Sequence, residues 1–259
     1  MMVGLALGVR MRCLAVAVVM AVLGWSSAWA HERKLTVGVE ELDYTPAYAV
    51  KNGEYVGAAR DILDAFATAK GYTLVYKPLP IKRLYAELVS GGIDLKFPDS
   101  PTWAGDFKKG RPLAYSKPVI NYIDGVLVLP ENAGRGAEGV QTLGTVSGFT
   151  PFAWLDRVKT GAVALKENPR LDLLLKQAAM GRFDGAYASV AVANYTLDSV
   201  LGTPGALVFD PRLPHSRDAY QLSSLVHPEV IVEFDAWMAA NAAQVKAIKE
   251  RHGAEKGVE

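Results

Sequence analysis

The chain has 259 residues, half of them hydrophobic, with 28 lysines and arginines against 27 acidic residues and a formal net charge of +1. So even a balance gives no electrostatic drive toward nucleic acid or an anionic membrane surface. The one cysteine, Cys13, lies near the N-terminus, so the rest of the chain can form neither a disulfide nor a thiol site.

Residues 1–30 read as a secretory signal peptide. Arg10 and Arg12 supply the positive flank, 13–25 is an apolar run too short to span a bilayer, and Ser27-Ala-Trp-Ala30 has the small–x–small form of a cleavage site. Cleavage after Ala30 delivers a soluble product to the periplasm. His31 then becomes the amino terminus, where amine and imidazole together can chelate copper. His215, His227 and His252 have no metal-ligand spacing, so neither a metal nor a cofactor is expected.

Leu35-Thr-Val-Gly-Val39 is a β-rich run, followed by polar and turn residues up to Gly57. Over 58–70, Ile62, Leu63, Phe66 and Ala69 share one helical face, and Gly71 stands where a left-handed C-terminal cap belongs. A strand over 72–77, a helix over 82–90 ended by Gly91-Gly92 and a strand over 93–97 complete a β-α-β-α-β order. That order argues for a mostly parallel sheet covered by helices, an α/β fold.

A second block repeats the pattern. Strand 122–129 and the loop 134–139 lead to strand 142–146 and a helix near 151–159. Strand 162–165, helix 169–180, strand 184–188 and helix 189–201 follow. One long helix is expected over 228–251, opened by Pro228 at its first position and burying Val230, Ile231, Phe234, Trp237, Met238, Val245 and Ile248. Two α/β units in one chain imply a cleft between them, where ligands usually sit.

Several phrases then come in a telling order: Leu35-Thr-Val-Gly-Val-Glu40, Tyr44-Thr-Pro-Ala-Tyr48, Asn52-Gly-Glu-Tyr-Val-Gly57 with Asp61, Leu88-Val-Ser-Gly-Gly-Ile-Asp94, Tyr115-Ser-Lys-Pro118, Thr145-Val-Ser-Gly148 and Met180-Gly-Arg-Phe-Asp184. In this order and spacing the chain resembles the amino-acid-type periplasmic solute-binding proteins of ABC transport systems, over nearly all of 35–253. The resemblance implies a two-lobed type II fold, each lobe a mostly parallel sheet flanked by helices. It puts lobe one at 31–117 plus 219–259, lobe two at 122–214, and crossover hinges at 117–121 and 215–219. It also implies a monomer with a small-molecule ligand and a membrane permease, or a sensor, as partners.

In the family, ligand contacts come from the strand ends. Here those positions are Glu40, Glu41, Asp43 and Tyr44, then Pro98, Asp99, Ser100, Thr102 and Trp103, then Ser147, Gly148, Phe149 and Thr150, and finally Tyr187 and Ser189. The turn at 147–150 opens a helix, whose free N–H groups suit an anionic or carbonyl oxygen, and Thr150 suits its cap. Two departures stand out. The family's Thr-x-x-Arg, whose arginine grips an α-carboxylate, is replaced by Pro101-Thr-Trp-Ala-Gly-Asp-Phe-Lys-Lys109, and a lysine offers a point charge, not a planar fork. The family's ammonium-holding aspartate is replaced by Ser189. A standard α-amino acid is therefore not the expected ligand.

Glu40, Glu41, Asp43 and Asp99 beside Tyr44, Tyr48, Trp103, Phe149 and Tyr187 suit an amine-bearing ligand. Arg83, Lys96 or Lys108 in the cleft would suit an anion instead. Strand alternation puts Lys96 and Pro98 on one face and Phe97 and Asp99 on the other, and leaves open which face meets the cleft. No nucleophile–base pair is evident, so a binding protein is expected and not an enzyme. The alternatives are a dehydratase-like lyase on the same scaffold, with Glu41 or Asp99 as acid or base, and an accessory to a sensor or redox enzyme.

Overall fold

The alternation that marks 35–39 as a strand extends in both directions. In the computed structural model, which describes residues 33–147 and 149–258, β1 runs Arg33–Glu40. The expected signal peptide, His31 and Gly148 lie outside the described residues. After β1, where only turns were expected, the chain makes a three-stranded meander of β2 (Asp43–Tyr44), β3 (Tyr48–Lys51) and β4 (Glu54–Val56). Its second turn is Asn52-Gly53, at φ 53° and 81°. Positive φ at both central positions is the hairpin geometry that Asn-Gly favours.

Next come α1 (Ala58–Lys70), β5 (Tyr72–Leu79), α2 (Ile81–Ser90) and β6 (Leu95–Asp99). Gly71 and Gly91 end the two helices at φ 70° and 76°, conformations a side chain disfavours. The short α3 (Gly105–Lys108) and β7 (Ala114–Tyr115) precede the long β8 (Ile120–Val128). The second block supplies β9 (Thr142–Val146), α4 (Leu155–Lys159), β10 (Ala164–Asn168), α5 (Leu171–Ala179), β11 (Gly185–Ser189), α6 (Val190–Tyr195) and β12 (Val208–Phe209). The chain closes with β13 (Ser216–Ser224), α7 (Pro228–Ala240) and α8 (Ala242–His252).

The long C-terminal helix expected over 228–251 is thus two helices. Asn241 breaks it: its side-chain Nδ2 donates to the Trp237 carbonyl at 2.8 Å, competing with its own backbone N–H for the same acceptor at 2.9 Å.

The principal sheet runs β10-β9-β11-β8-β13-β6-β1-β5. At one end β5, β1 and β6 are parallel; at the other β10, β9 and β11 are parallel. Between them β8 and β13 pair antiparallel, Tyr122 opposite Asp218 and Asp124 opposite Ser216. These two strands carry the chain from one parallel trio to the other and back. Separate apolar clusters cover the trios: Ile62, Leu63, Phe66 and Phe234 pack under the first, Leu174, Leu175 and Ala178 under the second.

Each trio is tied by the same device. Asp94, just before β6, accepts the Thr36 N–H on β1 at 2.7 Å and gives its own N–H to the Thr36 carbonyl at 3.0 Å. Asp184, just before β11, accepts the Thr142 N–H on β9 at 2.7 Å and gives its N–H to the Thr142 carbonyl at 3.0 Å. This is why an aspartate ends both the Gly-Gly-Ile-Asp94 and the Arg-Phe-Asp184 phrases. Burial works to raise the Asp184 pKa, but hydrogen bonds from Thr142 and Gln141 outweigh it and hold the carboxyl below its ordinary value. A depressed folded-state pKa stabilises above the unfolded value and is lost as pH falls through the folded one. We expect Asp184→Ala to cost about 1–2 kcal/mol at neutral pH, the lower part of the range for charged hydrogen bonds because the side chain is only half-buried. Urea unfolding should show that gap closing below about pH 4.

Candidate functional site

Charged side chains at the tips of β1 and β6 face inward. Lys96 on β6 has no exposed surface. Its Nζ lies 3.9 Å from Glu40 and 3.8 Å from Asp99, and donates to the Pro98 carbonyl. Lys108, on the stretch where the family's arginine was sought, folds back to give Asp99 Oδ1 a 2.7 Å ion pair and the Ser100 carbonyl a 2.7 Å hydrogen bond. Asp99 also accepts from the Ser100 N–H at 2.9 Å and from Ser223 Oγ at 2.7 Å, and Glu40 accepts from the Tyr48 hydroxyl at 2.9 Å.

The result is a buried quartet of two ammoniums and two carboxylates, charge-balanced and walled by rings. Lys96 stands 4.5 Å from the Tyr85 centroid and 5.9 Å from Trp103, and Lys108 stands 5.1 Å from Tyr85 and 5.2 Å from Tyr115. Burial raises the Glu40 pKa, opposed by the Lys96 charge and the Tyr48 hydrogen bond. Burial lowers that of Lys108, opposed by Asp99.

Simple alternation placed Lys96 and Asp99 on opposite faces; the structure corrects this. On β13, Gln221 is opposite Asp99 and Ser223 is opposite Lys96, so three steps of β6 match two of β13. That β-bulge turns the two side chains toward each other.

The other candidates scatter. Glu41 and Asp43 are exposed, Asp43 accepting from the Thr45 N–H and hydroxyl. Arg83 is 67% exposed beside Glu87, and Lys82 is exposed. Ser147 and Thr150 are exposed. The segment after them is a 3₁₀ turn (Phe152–Trp154) leading into α4, and neither carries a side-chain cap, which corrects the capping role expected of Thr150.

Aromatic rings join the two halves. Tyr44 stacks on Tyr48 at 5.4 Å and reaches Phe149 at 6.5 Å, and Phe149 lies 5.8 Å from Tyr187. Tyr220 is the hub on the other side, 4.5 Å from Tyr122, 5.7 Å from Tyr48 and 5.9 Å from Trp103. Tyr44, on β2 just after β1, and Phe149, just after β9, thus bring rings from beside the two parallel trios to 6.5 Å of each other.

Sequence reasoning missed Asp124 and Asp218, both on the paired central strands. Asp124 is flanked in register by Ser189 on β11 and Ser216 on β13. Its Oδ1 is sealed from solvent and has no hydrogen-bond partner. Asp218 is more exposed and accepts from Ser100 Oγ at 3.1 Å and the Tyr122 hydroxyl at 3.4 Å. A signal was present: an aspartate inside the otherwise apolar Tyr122-Ile-Asp-Gly-Val-Leu-Val128 strand breaks its pattern.

A shallow depression of about 510 Å³ lies elsewhere, among Lys246, Lys249, Glu250, Glu255 and Lys256 on the α8 surface. Its charges already pair with each other, as in Lys249–Glu255 at 2.8 Å, and no strand tip reaches it, so it is not taken as the site. Among the described residues no three His, Cys, Asp or Glu side chains are grouped to hold a metal, and no helix is long and apolar enough to cross a membrane.

The quartet makes a stability claim. Asp99→Ala would leave Lys108 buried without its carboxylate and Lys96 with only Glu40, and we expect it to cost about 3–5 kcal/mol in chemical unfolding. A cost below about 1 kcal/mol would mean the four charges are not sealed from water.

No protein-family model and no curated protein matches the chain. Solved structures do. A histidine-bound ABC uptake substrate-binding protein from Streptococcus pneumoniae aligns at 19% identity and TM-score 0.67, covering 87% of this chain and 94% of that one. A histidine kinase sensor domain with similarity to periplasmic binding proteins aligns at 18% and 0.64, covering 85% and 96%. An ancestral amino-acid-binding protein, a precursor of cyclohexadienyl dehydratase, aligns at 18% and 0.62, covering 85% and 94%. The chain has the two-lobed α/β fold of the type II periplasmic solute-binding proteins, the family its sequence phrases resemble.

Proposed function

We propose that this is an exported, periplasmic binding protein that captures a small polar solute between its lobes and hands it to a membrane transporter. The lobes are 31–117 plus 219–259 and 122–214, swinging about 117–121 and 215–219. The observation that carries the reading is the aromatic seam from Tyr48 through Tyr44 to Phe149 and Tyr187, which brings rings of both halves over charged strand tips. A solute held there is enclosed by both lobes, and it favours closure by the contacts it makes only in the closed form. The similar chains from an uptake transporter and a sensor kinase fit delivery to either kind of membrane partner.

The solute is amine-bearing rather than a free α-amino acid. Lys96 and Lys108 are already paired with Glu40 and Asp99, so neither stands ready for an α-carboxylate. Binding is proposed to use Tyr44, Ser100, Trp103, Gly148, Phe149, Tyr187 and Ser189, with Glu41 and Ser147 at the rim, while Glu40 and Asp99 serve it from behind, by holding the two lysines.

One observation favours a second reading. Burial first, and the Asp218 charge second, push the Asp124 carboxyl up to about 7, where a general acid–base group works best. With the dehydratase precursor among the similar structures, a lyase on this scaffold is the alternative. Turnover of a bound solute would decide for it.

A metabolite panel tests the main reading by thermal shift. A true ligand at a hundredfold over its dissociation constant adds about 2.7 kcal/mol, an easily read rise in Tm. Trp103→Ala should weaken that ligand at least tenfold, because the ring stands between Lys96 and Tyr220. Silence across the whole panel would defeat the binding role.

A further inference from the structure

We propose that Asp124 is the ammonium subsite of the cleft, so that the solute is an organic amine without a carboxylate. This deepens the solute-binding reading and rests on it.

The first ground is register. Ser189 is buried here on β11, and its cross-strand partner on β8 is Asp124. Directly opposed residues of paired strands project from the same face, with Cβ atoms about 5 Å apart. A carboxylate one strand over thus serves the same space.

The second ground is the carboxylate's own state. Asp124 Oδ1 is inaccessible and has no donor. An orphaned buried acceptor is costly, and a ligand that donates to it recovers that cost on binding. Among the described residues no lysine, arginine or histidine forms an ion pair with Asp124 or Asp218, whereas the carboxylates of the quartet are already matched.

The third ground is what surrounds it. Tyr122 lies two residues before Asp124 on the same face of β8, stacked 4.5 Å from Tyr220 on β13, and Tyr187 lies two residues before Ser189, the cross-strand partner of Asp124. Besides burial, the Asp124 charge raises the phenols of all three and of Tyr44. The Tyr187 hydroxyl is also buried without a hydrogen bond of normal geometry, having only a loose approach from Ser216. Aromatic faces around an anionic centre suit an ammonium through cation–π attraction, and desolvation strengthens it. Across the cleft Lys108 and Lys96 are committed to Asp99 and Glu40. A ligand carboxylate would meet these two lysines already paired, and beside Asp124 it would meet two acids with no ion-pair partner among the described residues.

A pH dependence follows. The groups facing Asp124 are Tyr122 on its own strand, Tyr187 and Ser189 on β11, Ser216, Asp218 and Tyr220 on β13, and Tyr44 on β2. Burial first, and the Asp218 charge second, oppose the ionised form of Asp124. Because the folded pKa stands above the ordinary carboxyl value, this group stabilises the free protein at acidic pH. That stabilisation is lost as pH rises through about 7. An ammonium needs the ionised form, so below that pH its binding expels a proton.

The test pairs agmatine, cadaverine and tyramine with arginine, lysine and tyrosine, in calorimetry and thermal shift on the purified protein at about pH 6 and about pH 8. A carboxyl titrating near 7 predicts that an amine binds roughly tenfold more tightly at the higher pH, with net proton release at the lower. Its carboxylated parent should bind at least tenfold more weakly. Asp124→Asn should weaken the amine at least tenfold and flatten the pH dependence. Its Tm without ligand at about pH 8 should equal or exceed the wild type, since a buried charge is removed. The proton release of the wild type reports on Asp124 even if the variant does not fold.

Parent amino acids binding as tightly as the amines, or unchanged amine affinity in a folded Asp124→Asn, would overturn the subsite. So would no response to any of the three amines. A response to other metabolites in that last case leaves the solute-binding role standing, and silence from every compound removes both.

Discussion

The chemistry of the cleft depends on four buried charges that neutralise one another. Glu40, Lys96, Asp99 and Lys108 lie behind the strand tips of the first lobe, with Asp99 taking the 2.7 Å contact from Lys108. Burying any one of them alone would cost several kcal/mol, and together they offset that cost through pairing and hydrogen bonds from Tyr48, Ser223 and Ser100. The same arrangement removes both lysines from recognition. A site that had left Lys108 free would attract carboxylates; this one presents a wall with no net charge. What recognition remains electrostatic then falls to Asp124 and Asp218, on the strands that join the lobes.

That location puts recognition on the strands that join the two parallel trios. β8 and β13 are the two segments through which the halves connect, and they pair along 120–124 and 216–220. Asp124 reaches toward β11 of the second half, while Asp218 accepts from Ser100 at the tip of the first. Both carboxylates stand on one antiparallel ladder, so a cation bound beside them touches the strands that the two halves share. The rings bridge the same region, Tyr44 lying 6.5 Å from Phe149.

Much of the fold was legible in the sequence because local rules decided it. The ends of α1 and α2 were readable from Gly71 and Gly91, since few other residues take φ near 70°. The parallel trios followed from strand–helix order. The meander at 43–56 was missed although Asn52-Gly53 announces a hairpin, because its strands are only two to four residues long and show no clear period. The Asn241 break was hidden because the apolar stripe continues across it, and only a side-chain hydrogen bond to Trp237 interrupts the helix.

The site was less legible, for a different reason. Lys96 and Asp99 meet through a bulge against β13, a partner more than a hundred residues away, and no pattern within β6 encodes it. Asp124 was unremarked because the resemblance directs attention to Ser189, and only the register of β8 with β11 shows them to be neighbours. A position-by-position comparison therefore counts the ammonium-holding carboxylate as lost, while in space it is displaced by one strand, about 5 Å. The arginine fares differently. Its stretch still carries a cation, Lys108, but the turn at Ala104 (φ 49°) precedes a short helix that directs it onto Asp99. One charge stands a strand away with an oxygen left unpaired, and the other has kept its place and is spent on Asp99. That asymmetry, rather than the absence of either group, sets this cleft apart from one built for a free α-amino acid.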